Sequence, residues 1–150
     1  MLQVLPYQQE IISLGVLGKH HLPNNIKTFS FVECSRELRK PLVNGNFRIF
    51  HARRNNEMLQ AVALKYLFRA KIKIVFTATA QRYPSWITRW LISKADGLLT
   101  TSKTAASYQP RPPDIIVPHG VDSTHFHAHS LGKKAAWKFL NLPGQFGVGI

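Results

Sequence analysis

The chain has 150 residues, of which 45% are hydrophobic and 11% aromatic, and this composition predicts one folded globular domain and excludes a disordered segment. Twenty Lys and Arg residues against seven Asp and Glu residues give a net charge of +13, which favours anionic partners. A single cysteine excludes an internal disulfide framework, no apolar run approaches the roughly 20 residues of a membrane span, and no signal peptide is expected at the N-terminus.

The first predicted elements are short and separate. Residues 1–14 predict a helix, and residues 26–32 (IKTFSFV) predict an isolated strand. Residues 47–51 (FRIFH) then predict a short buried strand.

A longer helix is expected after that strand, beginning at Asn55 and Asn56, which have N-cap chemistry, and ending near Arg69. Its buried face is predicted from apolar residues at helical spacing, namely Leu59, Val62, Ala63, Tyr66 and Leu67. From Met58 to Ala95 the chain carries seven basic residues and no acid, so this part concentrates the positive charge.

The middle of the chain continues as alternating strands and helices. Residues 72–77 (IKIVFT) predict a strand, and a helix follows with Pro84 in its first turn and an end near Lys94. The expected buried side of that helix consists of Ile87, Trp90 and Leu91. The remaining elements are a strand in 96–101, a short helix near 102–108, a proline-rich loop and a strand at 115–118.

This alternation predicts an α/β fold, a Rossmann-like parallel sheet with helices on both faces. Such sheets bind ligands beyond the carboxyl ends of their strands, so the polar stretches that follow the strands should gather at one edge. These stretches are 51–57, 77–82, 100–102 and 119–122. Beyond them, a loop, a helix (Lys133–Leu140) and a strand at the last residues predict that the chain is part of a longer protein.

Three motifs have site chemistry. HARRNNE (51–57) joins a strand to a helix N-terminus, where backbone amides and two arginines favour an anion pocket over a plain solvated loop. FTATAQR (76–82) fits either a ligand-contacting loop or an ordinary turn. The alternating histidines of HFHAH (125–129) permit a zinc site, but no fourth ligand motif accompanies them, so a histidine-rich loop without bound metal is favoured.

Four stretches resemble the glycosyltransferase family 4 lipopolysaccharide-core mannosyltransferases of Gram-negative bacteria: HARRNNEM (51–58), KIVFTATAQR (73–82), TRWLISKADGLLTTS (88–102) and VPHGVD (117–122). The resemblance implies the N-terminal part of a two-domain GT-B enzyme, truncated at both ends. Residues 1–130 would form the incomplete acceptor-side domain, and residues 131–150 the linker, helix and first strand of the donor domain.

The family's reaction, as the resemblance implies it, is retaining transfer of mannose from GDP-mannose to a Kdo–lipid A inner core, with no metal or other cofactor. By the same resemblance His51, Arg53, Arg54 and Asn55 match the acceptor-side motif, and Gln81 and Arg82 lie on the facing loop. The turn between the domains matches His119, Gly120 and Asp122. No residue is assigned to catalysis, and the donor-binding residues would lie beyond this chain, so the 150 residues alone are expected to be inactive.

The positive charge also predicts a location. Arg82, Trp86 and Arg89 share one stripe of a helix and predict a surface that faces the cytoplasmic side of the inner membrane, with a buried Trp86 between solvated arginines as the alternative. Two other functions remain open, a non-catalytic basic domain that binds membrane or lipopolysaccharide and a nucleic-acid-binding domain. The second is not expected, because no RNP, KH or zinc-finger pattern is present.

Overall fold

The computed structural model describes residues 5–18, 22, 24–43, 45–120, 132–141 and 143–144. The chain divides into two compact units, Met1–His119 and Gly120–Ile150. The predicted domain boundary near residue 130 lies outside the described residues and stays a prediction.

The first unit begins with helix α1 (Leu5–Ile11), strands β1 (Val16–Leu17) and β2 (Thr28–Phe29), and helix α2 (Phe31–Arg39). The predicted isolated strand at 26–32 is wrong on two counts, because β2 has only two residues and pairs in parallel with β1. Helix α2 takes the rest of that stretch because Ser30 and Glu33 form a capping box at its start, with the Ser30 N–H donating to the Glu33 carboxylate at 2.8 Å.

The main sheet has four parallel strands in the order β3-β4-β5-β6, formed by Arg48–Ala52, Ile72–Ala78, Gly97–Thr100 and Ile115–Ile116. Helices α3 (Asn55–Val62, continued by a π-helical segment, Ala63–Leu67), α4 (Trp86–Ser93) and α5 (Lys103–Ser107) connect successive strands. Right-handed crossovers between strands in sequential order place these three helices on one face of the sheet. The parallel sheets flanked by helices confirm the predicted Rossmann-like α/β fold. The helices predicted on the second face are not among these three crossover helices.

The core lies between this sheet face and the helices. Strand β4 alternates between buried and more exposed positions, and Ile72, Ile74 and Phe76 point into the core. The prediction that residues 47–51 form a buried strand is wrong for one face of β3, because Ile49 lies beside exposed Lys73 on the side of the sheet away from the core and is largely exposed.

The buried face of α3 also differs from the predicted one. Met58, Ala61 and Leu64 are fully buried, whereas Leu59, Tyr66 and Leu67 of the predicted face are exposed. Met58, Ala61 and Leu64 follow one another at intervals of three residues, a spacing that the helical period also permits. The periodicity therefore fitted two sides of the helix, and the prediction selected the exposed one.

Helix α4 begins after the predicted position. Ser85 is its N-cap and accepts a hydrogen bond from the Thr88 backbone, so Pro84 precedes the helix and does not lie in its first turn. Leu91 is buried as predicted, but Ile92 shares the core with it, while Ile87 and Trp90 remain partly exposed.

The second unit contains helix α6 (Gly132–Phe139), which confirms the predicted helix at 133–140 to within one residue. The Trp137 indole N–H donates to the Gly144 carbonyl at 2.8 Å. The predicted strand FGVGI lies outside the described residues. Among the residues that the structure describes, no helix combines the length and apolarity needed to cross a bilayer.

Candidate functional site

The carboxyl ends of β3 and β4 meet at one edge of the sheet, where His51 contacts Thr77. The His51 Nε2 atom lies 2.7 Å from the Thr77 hydroxyl oxygen. Loss of hydration and the nearby Arg53 charge lower the pKa of His51, and Glu57 opposes them only in part. The imidazole is therefore neutral at pH 7, and the pair forms an uncharged hydrogen-bonding group beside the arginines.

The start of α3 presents Arg53, Arg54 and Asn55 to solvent. Arg54 occupies the N-cap position without a side-chain capping bond, so the N-cap role predicted for Asn55 and Asn56 is wrong. The Glu57 carboxylate instead ties the residue before the N-cap to the first turn, because it accepts the Arg53 N–H at 2.7 Å. Two guanidinium groups thus remain at a helix N-terminus, an arrangement suited to anions.

Asn55 ties this motif to the next crossover helix. Its side-chain amide donates to the Thr88 hydroxyl at 2.8 Å, and that hydroxyl lies 3.0 Å from the Ser85 hydroxyl. Thr88 and Ser85 were not predicted as part of the site. Their only sequence signal was Ser85 as a potential cap three residues before Thr88, which indicates a helix start and gives no reason to expect the contact with Asn55.

The other predicted site residues are less closely joined. Gln81 and Arg82 are exposed after β4, and no hydrogen bond among the described residues links either of them to HARRN. His119 and Gly120 are exposed after β6, whereas Asp122 and the HFHAH histidines lie outside the described residues. In the part of the chain that is described, no cluster of three or more His, Cys, Asp or Glu side chains could hold a metal.

The end of β5 adds one buried polar group. Thr100 is fully buried, and its hydroxyl has no hydrogen-bond partner among the described residues. Two shallow grooves, lined by residues of 27–40 and of 103–116, share no residue with the edge formed by β3, β4 and the start of α3.

At the start of β5, Asp96 has a structural role. It accepts hydrogen bonds from the Lys65 ammonium at 2.6 Å, the Ile74 N–H at 2.8 Å and the Lys73 ammonium at 3.3 Å. Partial burial raises its pKa, but these hydrogen bonds outweigh burial and hold the pKa below the ordinary value. One negative charge thereby offsets part of the charge of two lysines of the acid-free run.

The fold and its polar edge define a parallel α/β domain of the kind that binds ligands beyond the carboxyl ends of its strands. The chain is 32% identical over 150 residues to the lipopolysaccharide core biosynthesis mannosyltransferase LpcC of Rhizobium leguminosarum bv. viciae, a match over 99% of this chain and 42% of that protein. It is also 32% identical over 154 residues to the lipopolysaccharide core biosynthesis mannosyltransferase LpsB of Rhizobium meliloti (strain 1021), over 97% of this chain and 43% of the relative.

The chain is therefore a relative of the lipopolysaccharide core mannosyltransferases, and the resemblance predicted from its motifs is confirmed. It spans less than half of the length of these curated relatives. No protein-family profile and no solved structure matches the chain.

Proposed function

We propose that the chain is the acceptor-binding part of a family 4 GT-B enzyme that transfers mannose, with retention, from GDP-mannose to the Kdo–lipid A inner core. The observation that carries this proposal is the hydrogen-bonded strand-end cluster, in a chain related to lipopolysaccharide core mannosyltransferases. The proposed acceptor-binding residues are His51, Arg53, Arg54, Asn55, Gln81 and Arg82, and the proposed interdomain turn contains His119, Gly120 and Asp122.

The charges of the cluster suit this acceptor, which carries carboxylates and phosphates. Arg53 and Arg54 offer planar guanidinium groups that bind such oxyanions in bidentate fashion. The neutral His51–Thr77 pair is suited to a sugar hydroxyl, because it can donate and accept without adding charge. The Asn55–Thr88 bond fixes the first turn of α3, so the arginines start from a defined backbone position.

A chimera tests the proposal. In it, this chain replaces the segment that it matches in the Rhizobium leguminosarum relative, and mannose transfer to Kdo–lipid A is measured. We expect transfer by the chimera and at least a tenfold loss in kcat/KM when Arg53 and Arg54 are both replaced by Ala. A chimera that is folded but inactive, or one that is unaffected by the double replacement, would contradict the proposed acceptor role.

The isolated chain is expected not to turn over GDP-mannose. In the GT-B fold the nucleotide is held by the donor domain, so the 150 residues would bind acceptor without releasing GDP. The check is GDP release in the presence of acceptor, with the chimera as the positive control. GDP release that depends on this chain alone would refute the prediction.

Thr88→Val is expected to weaken acceptor binding by about fivefold, because loss of one hydrogen bond of about 1 kcal/mol frees the Asn55 side chain. Valine keeps the β-branched shape, and the Ser85 cap on the Thr88 backbone is retained. The matched control is Thr104→Val, at an exposed threonine of α5. Equal affinities of the two variants for Kdo–lipid A would show that the Asn55–Thr88 bond does not position the site.

For its location we propose the cytoplasmic face of the inner membrane, where the protein would be peripheral. The predicted single helical stripe is wrong for Arg82, which precedes α4, whereas Trp86 and Arg89 lie on the helix. Trp86 is 78% exposed, and Arg82 and Arg89 are also exposed, which supports the proposal of a membrane-facing surface. The same surface favours, as a second candidate function, a non-catalytic domain that binds membrane or lipopolysaccharide. Transfer by the chimera would exclude that second function. No nucleic-acid partner is proposed.

A further inference from the structure

An apolar stripe on α3 and its π-helical segment, formed by Leu59, Tyr66 and Leu67, is exposed to solvent. The three side chains are 50%, 57% and 75% exposed. The opposite residues Met58 and Leu64 are fully buried. The helix is therefore apolar on two sides, and only one side packs against the sheet.

This stripe belongs to the same helical layer as α4. The crossovers β3-α3-β4 and β4-α4-β5 place both helices on one sheet face, and the Asn55–Thr88 hydrogen bond joins their first turns. Helix α4 exposes Trp86 and, in part, Ile87 and Trp90. Both helices thus contribute exposed apolar side chains to the solvent side of the layer.

The net charge of the segment that carries these side chains is positive. Arg69, Lys71, Arg82 and Arg89 are all exposed within the acid-free run from 58 to 95. Of the two acids that flank the run, Glu57 accepts the Arg53 N–H, and Asp96 pairs with Lys65 and Lys73 of the run, which leaves the four exposed basic residues named above without this acid. A surface that combines basic groups with Trp, Tyr and Leu side chains is complementary to an anionic lipid interface.

We propose that Leu59, Tyr66 and Leu67 form, together with α4, a two-helix footprint that docks on an anionic bilayer surface. This inference rests on the proposed membrane location and extends it from one helix to two. A second copy of the chain does not fit the same footprint, because two surfaces of like charge repel each other. A bilayer accommodates the ring of Tyr66 and the leucines in the interfacial region while its headgroups contact the basic side chains.

The test is co-sedimentation of the full chain with vesicles of phosphatidylglycerol and phosphatidylcholine, and with vesicles of phosphatidylcholine alone, at low and high salt. The variant Leu59→Ser/Tyr66→Ser/Leu67→Ser is compared with a matched control, Val43→Ser/Phe47→Ser/Ile49→Ser, which removes three exposed apolar side chains outside the two helices. We expect at least tenfold weaker binding of the first variant to anionic vesicles and less than a twofold change for the control. Neutral vesicles should bind neither protein strongly.

Equal binding by the α3 variant and the wild type would overturn the inference. A third variant, Arg82→Ala/Trp86→Ala/Arg89→Ala, distinguishes failure of the two-helix footprint from failure of the proposed membrane location. If this variant alone loses binding, the α4 surface stands and the two-helix footprint fails; if neither variant loses binding, the membrane location fails as well. If the triple serine variant unfolds, the single variant Leu67→Ser replaces it. Leu67 is the most exposed member of the stripe, and its substitution is expected to weaken binding to anionic vesicles about threefold.

Discussion

Ile74→Ala is expected to lower the free energy of unfolding by about 2–5 kcal/mol, the usual cost of removing a buried branched aliphatic side chain and leaving a cavity. Ile74 is fully buried in β4, the strand that pairs with β3 on one side and β5 on the other. Its side chain belongs to the cluster that holds α3 and α4 against the sheet. The measurement is urea unfolding followed by far-ultraviolet circular dichroism.

Ile49→Ala provides the matched control. Ile49 is also a strand isoleucine, but it lies in β3 and is 70% exposed. Its truncation is expected to cost less than about 1 kcal/mol, since little apolar surface returns to water. Similar losses for the two variants would show that the helices do not pack on the face of β4 that carries Ile74.

Asp96→Ala is expected to destabilise the chain by about 2–3 kcal/mol at neutral pH, because hydrogen bonds to a charged group are worth more than neutral ones. The substitution leaves the Ile74 N–H and the Lys65 ammonium without their acceptor. Glu10→Ala is the control, since Glu10 is exposed on α1. Equal unfolding free energies of the two variants would contradict the structural role of Asp96.

The effect of Asp96 depends on pH with a defined sign. Since the pKa of Asp96 is lower in the folded chain than its ordinary value of 3.8, the carboxylate stabilises the fold fully above that value. The stabilisation is lost as the pH falls through the lower folded pKa. The difference between the wild type and Asp96→Ala should therefore be constant near neutrality and shrink in acid. If the difference in unfolding free energy between the wild type and Asp96→Ala grew in acid, the pKa of Asp96 would not be lowered in the folded chain.

The sequence predicted the main sheet well because its strands and crossover helices follow local rules. Residues 72–77 are rich in β-branched and aromatic residues, and strand β4 contains all of them and ends one residue later, at Ala78. The buried side of α3 could not be predicted in the same way, since apolar residues occur at helical spacing on two sides of this helix. The N-terminal strand was assigned too long because the capping box of Ser30 and Glu33, which is a local signal, was not recognised.

The candidate site was predicted only in part, for a different reason. Parallel topology required the polar stretches after β3 and β4 to lie at one edge, and the His51–Thr77 contact confirms this for the described residues. The contact between Asn55 and Thr88 joins residues 33 positions apart. No periodicity encodes such a pair, because it depends on how α3 and α4 pack together.

The most direct measurement of the central claim is the affinity of the chain for Kdo–lipid A, determined for the wild type and for Arg53→Ala/Arg54→Ala. The control is Arg36→Ala/Arg39→Ala, which removes the same charge from α2. We expect at least tenfold weaker binding of the first variant and a much smaller change for the second, because the acceptor is bound by a defined site as well as attracted by net charge. Equal losses for the two variants, or no binding by the wild type, would contradict the assignment of an acceptor site to the HARRN motif.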